Sequence, residues 1–219
     1  MIKTSDFFKS DTLDLAKKFV IRHVEYYGFG DDFSKKMSEA EQNEDLQRKI
    51  RALIDLGTQF IRNHVKVDEI PVGVGLLLKA IDLYDQNEFE GLHNEWLDDD
   101  YFHAKAFLSV VFLPKIPFLN DIMKNRIGDA VAEDGQFGLT MLLDLIHSGK
   151  AKANDFLSLS LMYATGTVVE RNMDLARDYY AKAIEVDSKE HPDLEDEFKE
   201  FYSQILSSSY RVDEALTRK

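Results

Sequence analysis

Residues 153–186 carry two apolar stripes at helical spacing on either side of a glycine, a pattern that packed helices satisfy and strands do not. Ala153 to Ala164 holds Phe156, Leu157, Leu159, Leu161 and Tyr163, and Gly166 follows just past the end. A glycine there fits the left-handed residue that closes a helix, since it has no Cβ to clash. Thr167 to Arg171 makes a short loop, and Asn172 offers an N-cap for the next helix. That second helix sets Leu175, Ala176, Tyr179, Tyr180, Ala183 and Ile184 in two adjacent rows at i, i+4. The segment therefore reads as an antiparallel αα-hairpin.

The run Leu159-Ser160-Leu161-Met162-Tyr163-Ala164-Thr165-Gly166-Thr167-Val168-Val169, followed by Asp174, Ala176, Tyr179, Tyr180, Lys182 and Ala183, resembles a Sel-one-like repeat, a relative of the tetratricopeptide repeats. It departs from that pattern at Thr167, where a second loop glycine is expected, and at Ile184, where alanine is usual. The resemblance covers about 30 residues. It implies a right-handed α-solenoid of stacked antiparallel helix pairs and an adaptor role in assembling complexes.

Shifting the sequence against itself by 103 positions extends the pattern without a gap. Leu56 then falls on Leu159, Phe60 on Tyr163, Asn63 on Gly166 and Val65 on Val168. Val72 falls on Leu175, Gly73 on Ala176, Leu76 on Tyr179, Lys79 on Lys182, Ala80 on Ala183 and Ile81 on Ile184. Asparagine is the next most tolerant residue at a left-handed helix end, so Asn63 can stand in for Gly166. The offset is close to three units of roughly 34 residues, which predicts two degenerate units between the clear ones at Leu53–Leu83 and Phe156–Glu185.

Further helices are predicted at Asp11–Tyr27, closed by Gly28-Phe29-Gly30, then at Asp45–Arg62, Asn94–Phe112, Asn120–Ala132 and Gly138–His147. Residues 32–44 are polar, and their pattern leaves helix and loose chain both open. Pro192 stands where the first residue of another helix belongs, with Leu194, Phe198, Tyr202 and Leu206 at i, i+4. Arg211 to Lys219 reads as a frayed tail. The expectation is an all-α chain of about ten helices. It forms one helical-repeat domain over 1–219, with capping helices at 1–45, repeats at 46–187 and a capping helix and tail at 188–219.

Composition supports long helices, because only four prolines and eleven glycines punctuate 219 residues. The absence of cysteine excludes disulfides, thiolate-held zinc and cysteine nucleophiles. The N-terminus lacks the apolar segment of an export signal, and the longest apolar run, Phe107–Leu113, is too short to span a bilayer. A cytoplasmic protein is expected. Forty acidic against 27 basic residues give a net charge of −13, which argues against nucleic acid and anionic membranes and for either plain solubility or a basic partner.

No lysine or arginine occurs from Ala80 to Ala104, a stretch that holds Asp82, Asp85, Glu88, Glu90, His93, Glu95, Trp96, Asp98, Asp99, Asp100 and His103. Hard cations favour such oxygen ligands, but neither the calcium-loop spacing nor an H-E-x-x-H motif is present. Two readings stay open for this segment. In one, Glu88, Glu90, Glu95, Trp96, Asp98, Asp99 and Asp100 form a partner-binding surface with Trp96, the only tryptophan, as anchor. In the other, Trp96 is core and the acids are the solvated start of a helix. A second acidic run, Glu185 to Glu200, is accounted for by the positive end of the helix near Pro192.

The glycine pairs Gly28/Gly30 and Gly73/Gly75 lack the strand and third glycine of a dinucleotide site, and there is no phosphate loop or nucleophile elbow. The sequence therefore points to an interaction scaffold that needs no cofactor and performs no catalysis. An acidic immunity protein that neutralises a basic toxin domain is the alternative, and a degenerate metal-dependent enzyme a remote one. Leu56, Phe60, Asn63, Ala80, Leu159, Tyr163, Gly166, Ala176, Tyr179 and Ala183 are expected to be structural positions of the repeat.

Overall fold

The computed structural model of the chain describes residues 30–62, 68–87, 95–114 and 133–190, with isolated positions 14, 16, 17, 131 and 203. Among the described residues are seven helices: α1 (Gly30–Gln42), α2 (Leu46–Arg62), α3 (Glu69–Asn87), α4 (Glu95–Phe112), α5 (Gly135–His147), α6 (Ala153–Thr165) and α7 (Met173–Glu190). No β-strand occurs among them, only a single bridge residue at Val131. The chain divides into two compact units, one of residues 1–112 and 121–141 and the other of 113–120 and 142–219.

In the first unit α2 is central, packing on α1, α3 and α4. Asp45 starts it, its carboxylate accepting from the backbone N–H groups of Gln47 at 3.0 Å and Arg48 at 3.3 Å. Those two donors have no partner inside the helix, so the cap satisfies them. Ile50, Leu53, Leu56, Phe60 and Ile61 are buried along its length. Because three helices pack on α2, its single buried face is broad, running from Ile54 and Ile61 across to Ala52 and Leu56, while Arg48, Arg51, Asp55 and Arg62 stay exposed. Pro71 falls in the first turn of α3, where its missing N–H costs nothing.

The α2–α3 crossing is set by two glycines. A Cβ at Gly57 would lie 2.7 Å from the carbonyl oxygen of Gly73 and 2.8 Å from Leu77. One at Gly73 would lie 2.7 Å from both the Gly57 carbonyl oxygen and Ile61. The pairing of Gly57 with Leu77 and of Ile61 with Gly73 also makes the two helices antiparallel.

In the second unit α6 and α7 pack together across a seven-residue turn. Gly166, at φ 75°, ends α6 and donates to the Met162 carbonyl at 2.9 Å. The Asn172 side chain accepts from Asp174 and Leu175 N–H, each at 3.1 Å, and its own N–H reaches back to the Tyr163 carbonyl at 2.9 Å. Arg171 closes the turn from the other side, its Nε 3.1 Å from the Ala164 carbonyl.

The crossing positions of the two hairpins correspond at an offset of 103: Gly57 and Gly73, which meet in the first, match Ser160 and Ala176 in the second, where Ser160 Oγ donates to the Ala176 carbonyl at 2.6 Å. One crossing closes by removing side chains, the other by bridging with a hydroxyl.

The predicted Asp45–Arg62 helix starts within one residue of α2, the predicted Asn94–Phe112 helix ends with α4 at Phe112, and the predicted Ala153–Ala164 helix agrees with α6 to within one residue at each end, while residues 63 and 94 lie outside the described residues. The helix predicted at Gly138–His147 starts three residues earlier, because Asp134 caps it through the Phe137 N–H at 3.1 Å. Residues 32–44 are helical as far as Gln42, and Gly30, read as part of a helix end, is itself helical. Of the ten expected helices, the one near Pro192 and the tail lie outside the described residues, Ser203 excepted. Asp11–Tyr27 does so except for helical positions 14, 16 and 17, and Asn120–Ala132 except for Val131, which is not helical.

Candidate functional site

The first turns of α4 carry the acidic segment, and the neighbouring end of α3 fixes them in place. Tyr84 of α3 donates its hydroxyl to Asp98 Oδ1 of α4 at 2.5 Å. Tyr101 of α4 donates in return to Asp85 Oδ1 of α3 at 2.6 Å. The two rings stack with centroids 4.0 Å apart and 19° between planes. Hydrogen bonds to an ionised acceptor are the stronger kind, and here two of them bracket one aromatic stack. Lys105 is buried one turn further on, with Nζ 4.5 Å from the Tyr101 ring centre. Arg51 of α2 adds a third tie through Asp100, Nε to Oδ2 at 2.8 Å.

This arrangement splits the predicted acidic site. Asp98 and Asp100 hold helices together, so their carboxylates have structural work as well as charge. Glu95 and Asp99 are exposed on α4, and Glu88, Glu90 and His93 lie outside the described residues. Among the described residues no three of His, Asp and Glu converge where a metal ion could be held.

Trp96 is 74% exposed, the one large hydrophobic side chain so placed among the described residues. The reading of Trp96 as core is thereby corrected. The inward positions at the start of α4 are taken by Leu97, Tyr101, Ala104 and Leu108, which follow each other at three- and four-residue spacing. Trp96 precedes that stripe by one residue and so points off it. It shares the outer face with Asp99, Asp100 and His103 at i+3, i+4 and i+7.

The structural positions behave less uniformly than the repeat pattern predicts. Leu56, Phe60, Ala80, Leu159, Ala176 and Ala183 are buried. Tyr163 and Tyr179 are half-exposed and stack on each other at 5.7 Å with their planes 1° apart, and Lys182 Nζ lies 5.1 Å from the Tyr179 ring centre. Gly166 is left-handed as expected, and Asn63 lies outside the described residues. The Tyr84–Tyr101 lock escaped the sequence reading. Its signal is a Tyr-Asp pair at the end of one helix and an Asp-x-x-Tyr at the start of the next.

Among the described residues no helix is long and apolar enough to cross a membrane. Comparison of the chain with protein-family models, curated proteins and solved structures gives no match.

Proposed function

We propose that the chain is a non-catalytic interaction module of the Sel-one-like kind, which holds a protein partner against the first two turns of α4. The observation that carries this reading is Trp96, a large apolar ring left 74% exposed on a helix whose neighbours are tied down. Tryptophan is among the side chains that most often anchor an interface, and an anchor on a rigid element loses little entropy on binding. The match of the Gly57–Gly73 crossing to the Ser160–Ala176 contact 103 positions on supports a repeated helix-pair unit. An inhibitor of a basic toxin domain is the narrower form of this reading, favoured by the charge of −13.

A photo-reactive phenylalanine analogue placed at position 99, and in a second sample at Gln136 on α5, tests the face in extracts of the native cell. One discrete cross-linked protein is expected from position 99 and not from 136, and Trp96→Ala should abolish it. Cross-links that are indifferent to Trp96 would contradict the proposal. So would a purified chain that turns over a substrate.

A further inference from the structure

We infer that Tyr84 and Tyr101 are positioning residues for this face: their hydrogen bonds latch the first two turns of α4 to the end of α3, and a partner binds at Trp96 only while the latch is closed. This rests on the interaction reading above and adds the conformational state that it requires. Over those two turns α4 buries only Leu97 and Tyr101, whereas its later turns bury Ala104, Phe107, Leu108, Val111 and Phe112. A helix start lacks partners for its first N–H groups, and segments with few buried apolar contacts open at the least cost. At the start of α4, side-chain hydrogen bonds supply what apolar packing does not.

The two bonds run in opposite directions, from Tyr84 of α3 to Asp98 and from Tyr101 of α4 to Asp85. They bracket one ring stack with centroids 4.0 Å apart, so the loss of either loosens the geometry that the other needs. Trp96 lies two residues before Asp98 and five before Tyr101, within the latched turns. Tyr84 and Tyr101 are themselves 4% and 6% exposed, so they act on a partner at Trp96 only through the placement of α4. Binding that requires the closed state must in turn favour it, because such coupling is reciprocal. A bound partner should therefore protect the end of α3, which it does not touch.

The test uses amide hydrogen exchange of the full chain, read by mass spectrometry, beside the cross-link from position 99 in extracts of the native cell. Tyr84→Phe and Tyr101→Phe each keep the ring and remove the donor. Either should speed exchange over residues 96–103 on the order of tenfold and leave α6 unchanged. Ala176→Gly, a loss of stability in the second unit, should leave exchange over 96–103 unchanged. With both hydroxyls removed, the cross-link that depends on Trp96 should fall several-fold, since apparent affinity follows the fraction of chain in the binding state. Exchange over 96–103 that ignores both tyrosine variants, or that rises as much with Ala176→Gly, would mean that no latch holds α4, and the inference would fall. If exchange rises but the Trp96-dependent cross-link persists undiminished in the double variant, the positioning role is wrong and the interaction module stands. A cross-link that ignores Trp96 sinks both.

Discussion

Val168 has φ 70°, a left-handed conformation that a β-branched side chain rarely adopts. The resemblance to a repeat places a second loop glycine at Thr167, but the left-handed residue after Gly166 is Val168. That explains why threonine is acceptable at 167 and locates the strain one residue later. Val168→Gly should raise stability by about 1 kcal/mol, as relief of strain outweighs the added freedom of the unfolded chain. Thermal unfolding checks it, and a lower midpoint would show that the Val168 side chain contributes more than its backbone costs. Asp155, whose Oδ2 accepts from Lys152 N–H at 2.8 Å to cap α6, has the opposite problem. Burial raises its carboxyl above the usual carboxylate range, although the Lys152 N–H and charge pull it down. The native chain thus holds this proton more tightly than the unfolded chain. Between the ordinary value near 3.8 and the raised one, the contribution of Asp155 to stability falls as pH rises, and above both the penalty is complete. Asp155→Asn should therefore gain on the wild type at neutral pH and lose that advantage in acid, whereas Asp155→Ala should lose about 1 kcal/mol with the cap. Denaturant midpoints across the acid range distinguish the two.

Helix pairs here are held by a few specific contacts laid over a generic apolar core. Gly73→Ala gains about 1 kcal/mol of helix propensity but drives a Cβ to 2.7 Å from the Gly57 carbonyl oxygen. Backbone cannot retreat as a flexible side chain can, so a net loss of about 1–3 kcal/mol is expected in denaturant unfolding. Ala176→Gly at the matching position relieves no clash and should lose only about the propensity difference, roughly 1 kcal/mol. Tyr84→Phe and Tyr101→Phe each leave a carboxylate without its hydroxyl donor, at about 1–3 kcal/mol. Because the two rings touch, the double variant should lose less or more than the sum, a coupling that a double-mutant cycle reads directly. Elements with strong i, i+4 stripes and an Asp or Asn cap, such as α2 and α7, were legible from sequence because local chemistry decides them. The start of α5 was not, since Asp134 caps it through the Phe137 N–H, three residues ahead of the predicted start at Gly138. The polar α1 was not either. Its burial at Met37 and Ala40 comes from packing on α2, which no local pattern announces.

For the molecule as a function-bearing object, the acidic segment was visible in composition, but its division of labour was not. Sequence gives Asp98 and Asp99 the same status, whereas packing ties Asp98 to Tyr84 of α3 and leaves Asp99 on the outer face. The same limit applied to Trp96, one residue off the buried stripe of Leu97, Tyr101, Ala104 and Leu108. A shift of 100° around a helix separates core from surface, and a run as dense in polar residues as 93–103 does not fix that phase. The account stands on Trp96 being open in the free chain and covered in the complex. It is the only tryptophan, so acrylamide quenching of its fluorescence reports that state without any labelling. Strong quenching in the isolated chain, with protection once the cross-linked or co-purified partner is bound, is the predicted result. An indole already shielded in the isolated chain, or one quenched equally with the partner in place, would contradict it.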